Sequence, residues 1–185
     1  MKQLLWMPLV LGLALAQTPP PTPTQSPTQQ RLVQQATQGV AKAQATKSYL
    51  EGLRLSNIPA WLSQGDALLT QAQSDLQAQR YFAARERADA AKKVYQATLL
   101  LNGQTYGRSK REPSTPDRSA KQAYQAQRAQ QRVQRLEAEL AYYRNNNPAV
   151  RNLLSAAKGF QTSQPEVARM LAEAGLDIIK ADRGF

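Results

Sequence analysis

Cysteine and histidine are both missing from the 185 residues. Without cysteine the chain has no disulfide framework and no thiolate metal site, so its folded state rests on its core alone. Without histidine it loses the commonest general base, the Ser-His and Cys-His nucleophile systems and most zinc sites. Glycine-rich phosphate loops, RNA-binding aromatic signatures and zinc-finger spacings do not occur either. Any catalysis is left to carboxylates, Lys, Tyr and Ser. A wall-cleaving hydrolase needs a Glu of raised pKa in an apolar cleft, often with a second carboxylate. Glu137 and Glu139 are the only close pair of glutamates. Their i, i+2 spacing turns them to different faces and Arg135 stands beside them, so surface ion pairing is their expected use. Glu51 reads as a helix-surface residue and Glu166 as a capping residue. The chain is therefore expected not to be an enzyme, with no catalytic, cofactor-binding or metal-ligating residue and no small-molecule substrate.

The N-terminus has the pattern of a secretory signal peptide. Lys2 precedes an apolar run from Leu4 to Ala16, broken only by Pro8 and Gly12, which closes on Ala14-Leu15-Ala16. A spanning helix needs about 20 apolar residues, more than this run supplies. Cleavage is expected after Ala16; the absence of a following cysteine excludes lipid attachment there, and the absence of an Arg-Arg pair points to general export. "QTPPPTPTQSPTQQ" follows, with prolines at 19, 20, 21, 23 and 27. Proline at that density holds the chain extended, which reads as a disordered or semi-rigid spacer.

Beyond the spacer the periodicity is helical and β-type alternation is missing. Val33, Ala36, Val40, Ala43, Lys47 and Leu50 follow 3-4 spacing, the seam of a helix lying along a partner. Ala126, Ala129, Val133, Leu136, Leu140 and Tyr143 do the same. Each long helix runs into an asparagine-bearing turn with proline, "SNIPA" at 56–60 and "NNNPA" at 145–149, where Asn is expected in the left-handed conformation. Leu68-Leu69 with Ala72, and Leu153-Leu154 with Ala156 and Ala157, mark a second helix in each half. Third helices echo one another 84 places apart: Ala84-Arg85, Ala88, Ala90 and Ala97 match Ala168-Arg169, Ala172, Ala174 and Ala181, and Val94 answers Ile178. The order of events repeats, which reads as a duplicated three-helix unit. Between the halves, Asn102-Gly103 ends a helix and Thr115-Pro116 starts one; Ser163 to Glu166 has capping-box spacing.

The expected organisation is thus a signal peptide at 1–16, a Pro-rich disordered spacer at 17–28, a three-helix unit at 29–102, a linker at 103–115 and a second three-helix unit at 116–185. The fold class is all-α, with tetratricopeptide-like or bundle packing. Alanine-built seams imply close helix approach, with larger residues such as Trp61, Leu69, Leu99, Leu153, Phe160 and Ile179 supplying most of the burial. Trp61, just behind Pro59, is expected to plug the turn end of the first unit rather than serve as a ligand platform.

Residues 68–91, "LLTQAQSDLQAQRYFAARERADAA", resemble the helical hairpin of tetratricopeptide-type repeats, with Ala72 in the first helix, Tyr81 at the turn and Ala84 and Ala91 at small packing positions. Ala156, Ala168 and Gly175 stand at comparable places in the second half. Arg80 replaces the usual glycine before the turn aromatic, and Pro165 replaces the aromatic itself in the second half. The chain is also similar to uncharacterised alanine-rich helical domains of bacterial envelope proteins. These resemblances imply scaffolding or partner binding rather than catalysis.

Charge supplies the remaining signal, a formal net +11. On one predicted helix Arg118, Lys121, Arg128, Arg132 and Arg135 fall within an arc of about 100°, with Tyr124 at its edge. The stripe reads as a solvated face with arginine stems over alanine, as a site for an envelope polyanion or acidic membrane surface, or, less readily, as a nucleic-acid track. The sequence points to an exported, periplasmic or envelope-associated interaction or scaffold protein whose partner is another envelope protein. Polyanion binding through the stripe is the alternative.

Overall fold

The computed structural model describes residues 26–104 and 118–184, and every regular element within them is a helix. In chain order these are α1 (Pro27–Glu51), α2 (Leu62–Gln77), α3 (Tyr81–Leu101), α4 (Arg118–Tyr142), α5 (Pro148–Phe160) and α6 (Pro165–Arg183). The all-α expectation therefore holds, with three helices in each half. The expected signal segment, most of the spacer and linker, and the Thr115-Pro116 helix start lie outside the described residues. The first helix begins earlier than expected. Ser26 accepts from the Gln29 amide at 3.3 Å and Pro27 occupies the first turn, where a missing N–H costs nothing.

The centre of the fold is α3 against α6. Both α1 and α2 pack on α3, both α4 and α5 pack on α6, and the pairs α1–α2 and α4–α5 touch little. Contacts between the central helices run in opposite chain order, Glu86 to Lys180 and Lys93 to Asp177, so α3 and α6 are antiparallel. A single hydrophobic cluster runs through both halves, from Val40 and Leu50 through Tyr95 and Leu99 to Leu171 and Ile179. Fully buried leucines such as Leu136 and Leu153 each contribute on the order of 1.5–3 kcal/mol over an exposed position.

The seams account for this packing. In α1, Ala36, Val40, Ala43 and Leu50 are buried as their spacing predicts. Lys47 stays in register by reaching Asp66 of α2 at 2.8 Å. Tyr95 of α3 donates its hydroxyl to the same Asp66 at 3.0 Å, so one carboxylate ties three helices together. Burial, reinforced by that acceptor, pushes the Tyr95 phenol well above the usual tyrosine range. In α4, Ala129, Val133 and Leu136 are buried but Ala126 is exposed, so the seam starts one turn later than its spacing suggested. Glycine makes the closest approach possible: a Cβ on Gly175 would sit 2.7 Å from Leu136 Cδ2, and one on Gly65 2.9 Å from Val94 Cγ1.

Several helix ends differ from expectation, and α1 already stops at Glu51, short of the SNIPA turn. α2 and α4 close in paired 6→1 and 5→2 bonds: Arg80 N–H to Asp75 O and Gln79 N–H to Leu76 O, then Asn145 N–H to Leu140 O and Arg144 N–H to Ala141 O. The left-handed residues are Gln79 (φ 60°) and Arg144 (φ 50°), not asparagines. Asn145 and Asn147 act through their side chains instead, accepting from the Asn147 and Ala149 amides at 2.7 and 3.0 Å. At α6 the cap position is Gln164, without a side-chain bond, so Ser163 does not form the expected capping box. Trp61 is buried as anticipated. Its indole N–H donates to Thr98 at 3.2 Å, and its ring meets Phe160 of the second half edge-on at 5.3 Å.

Candidate functional site

The predicted basic stripe is placed on α4, and its members have different surroundings. The side chains of Arg118 and Lys121 lie outside the described residues. Arg128 is exposed and holds its guanidinium 5.6 Å from the ring centroid of Tyr124, itself 57 % exposed. Arg135 donates to Glu139 one turn on at 2.7 Å. Arg132 turns inward and comes within 3.5 Å of Glu173 on α6, which Arg169 also holds at 2.9 Å. Only the Arg128 end of the described stripe is thus turned to solvent without a carboxylate beside it.

Folding adds two lysines that helix spacing did not single out. Lys93 of α3 and Lys180 of α6 join Arg132, Arg135, Glu173 and Asp177 around a cleft of about 240 Å³. Asp177 accepts from Lys93 and, at 2.8 Å, from Lys180, which also lies 3.5 Å from Glu86. Burial opposes the charge on Lys180, but the Asp177 hydrogen bond and the two nearby carboxylates outweigh it and hold its pKa above the usual lysine value. Each cation of the cleft has a carboxylate partner. The cleft is an ion-paired seam between α3, α4 and α6. Lys93 and Asp177 stand 84 places apart in the sequence, the same offset that relates the alanine echo, which was the one available signal of their meeting. Glu137 pairs with Lys158 of α5 as Glu139 pairs with Arg135, so both glutamates serve ion pairs.

A second surface forms where the α4–α5 turn meets the end of α6. Tyr142 is 79 % exposed, and its ring stands edge-on to Tyr143 at 4.8 Å. Arg183 covers the Tyr143 ring at 3.4 Å. Arg144 follows in its left-handed conformation, and Arg151 donates to Asn146 at 2.6 Å. A chain of charge-assisted bonds leads to the turn that carries this patch. Asp75, whose carboxylate is 1 % exposed, pairs with Arg80 at 2.5 Å and with Arg87. Arg87 continues to Asp182 at 3.1 Å, and Asp182 accepts from Asn147 at 3.0 Å. The network fixes the α2–α3 turn, the end of α6 and the α4–α5 turn relative to one another, and so holds the aromatic patch in place. Tyr142 was not legible as a site, because a tyrosine at a helix end reads equally well as a buried cap.

Among the described residues no helix is long and apolar enough to cross a membrane, and no cluster of carboxylates has the geometry to hold a metal ion. No protein-family model, curated protein or solved structure matches the chain.

Proposed function

We propose that this chain is an exported, non-catalytic helical interaction protein of a bacterial envelope, formed by two related three-helix units and acting on another envelope protein. The observation that carries the reading is the exposed Tyr142-Tyr143 pair with Arg144 and Arg183 where the α4–α5 turn meets the end of α6. Tyrosine and arginine offer large contact area at low conformational cost and dominate binding energy at protein interfaces. Export is supported by the N-terminal charged, apolar and small-residue pattern. Duplication is supported by the matching helix order and by the meeting of Lys93 with Asp177, as expected of equivalent residues beside a two-fold axis. The antiparallel α2–α3 hairpin supports the tetratricopeptide-like comparison.

A photo-crosslinker placed at Tyr142 in envelope fractions is expected to trap one discrete protein that the same group at Gln127 does not. Identical nonspecific adducts from both positions, or a mature chain found only in the cytosol, would count against the reading.

Polyanion binding is the second reading, and the exposed Arg128–Tyr124 pair favours it. It predicts retention on heparin or acidic vesicles that falls with salt and with reversal of Arg128. Unchanged retention after reversal would remove α4 as the surface.

A further inference from the structure

Asn102 closes α3, and Gly103 follows it in a left-handed conformation (φ 70°). Backbone bonds finish the helix, Gln104 N–H to Leu99 O at 2.8 Å and Gly103 N–H to Leu100 O at 3.0 Å. The Asn102 side chain does something this cap does not require. Its Oδ1 accepts from the Asn57 amide at 2.9 Å and the Ser56 hydroxyl at 3.2 Å, while Nδ2 donates to Asn57 O at 2.8 Å and Thr98 O at 2.9 Å. Every donor and acceptor position of the carboxamide is therefore used. Trp61, at the far end of the same α1–α2 connection, donates its indole N–H to Thr98, so the connection is anchored on the last turns of α3.

The residue pair that makes this anchor is also chemically labile. The Gly103 backbone nitrogen, on losing its proton, can attack Cγ of Asn102; the bond from Cγ to Nδ2 then breaks, ammonia leaves, and a five-membered succinimide remains. Water adds to either ring carbonyl and opens it to aspartate, or to isoaspartate with the main chain running through the former side-chain carbons. Glycine puts no side chain in the way, and Asn102 is the only asparagine of the sequence with glycine after it. We propose that Asn102 is a spontaneous deamidation site which the fold protects, and that its conversion releases the α1–α2 connection from α3.

Protection follows from the geometry. Ring closure needs the Gly103 nitrogen and the Asn102 Cβ on the same side of the Cα–C bond, but at ψ 13° the Gly103 nitrogen lies over the backbone nitrogen of Asn102 instead. Turning the carboxamide toward it breaks four hydrogen bonds, and freeing the attacking nitrogen breaks a fifth. Reaction thus waits for this helix end to open. Release follows from the product: a carboxylate has no donor for Asn57 O or Thr98 O, and it sets a negative charge at the C-terminus of α3, where the helix dipole disfavours one. The proposal is independent of the Tyr142 surface, and either can fail without the other.

The test incubates the full chain in mildly alkaline buffer, native and unfolded in guanidinium, with peptide mass mapping of each asparagine. Asn102 is expected to convert at least about ten-fold faster in the unfolded chain, the ratio reporting the opening equilibrium. In that chain it should also outpace Asn152, which is followed by leucine. Asn102→Asp supplies the product in uniform form. With native helicity retained, hydrogen exchange across residues 53–61 is expected to speed up while α5 and α6 stay unchanged. Asn102→Ala, which removes the bonds without adding a charge, should free the same residues. Equal conversion in native and unfolded chains, faster conversion at Asn152, or unchanged exchange across 53–61 in both variants would overturn the proposal.

Discussion

The two halves reach the same helix order by different local solutions. In the first, α1, α2 and α3 are joined through one carboxylate, Asp66, with Lys47 and the buried Tyr95 hydroxyl as its partners. In the second, α4 and α6 are joined by Arg132 reaching Glu173, which Arg169 of α6 also holds, while α5 is held to α4 by Lys158 and Glu137. Glycine also moves: Gly65 on α2 admits Val94 and Tyr95 of α3, whereas Gly175 on α6 admits Leu136 of α4. Topology is thus set by which faces are small and apolar, and the polar groups that pin each half are interchangeable details laid over it.

The sharpest way to break the comparison is Leu136→Ala, which removes the knob seated on Gly175 and is expected to cost about 2–5 kcal/mol. Urea unfolding followed by circular dichroism would measure it. Gly175→Ala and Gly65→Ala are each expected to destabilise by about 1–3 kcal/mol through overpacking, despite the better helix propensity of alanine. In a double-mutant cycle the Gly175→Ala penalty should vanish in the Leu136→Ala background, while the Gly65→Ala penalty should persist, since its clash is with Val94 and Tyr95.

Alkaline titration distinguishes the halves by their polar pins. The folded pKa values of Tyr95 and Lys47 in the first half, and Lys180 in the second, all lie above the ordinary values of those groups. The unfolded chain therefore loses these protons first. Their contribution is complete below about pH 10 and is lost as pH rises through the folded values. Urea midpoints should fall above that pH, and Tyr95→Phe should remove the part of the fall that belongs to the tyrosine. Smaller effects come from the backbone. Gln79→Gly and Arg144→Gly are each expected to stabilise by about 1 kcal/mol, by relieving left-handed strain. Gly39→Ala, where a Cβ would meet Ala88 at an ordinary 3.6 Å, is expected to stabilise by about 0.5–1 kcal/mol, opposite in sign to the other two glycines. A thermal scan resolves each sign.

Most of the fold could be read from spacing because spacing reports the face each helix buries. Val40, Ala43, Val133 and Leu136 were placed correctly on that ground. Spacing does not report which partner covers that face, so Lys93 and Lys180 reached Arg132 and Arg135 unannounced. Left-handed turns at Gln79 and Arg144 were missed for a related reason. Local preference favours Asn or Gly there, and the bonds that tie these turns to another helix, such as Arg87 and Asn147 to Asp182, are not local. Of the candidate site, the exposed Arg128 was legible as charge on a helix face. Arg132 and Arg135 were legible as charge but not as charge already spoken for.

The antiparallel α3–α6 pair has a consequence for biosynthesis. α6 follows α1 to α5 in the chain and covers the middle of the fold, so residues 26–104 are made with one flank of α3 bare. Until residues 165–183 are made, the nascent chain has no finished interior. That order of synthesis delays closure of the core until α6 has been made, and leaves the α3 face uncovered in the meantime.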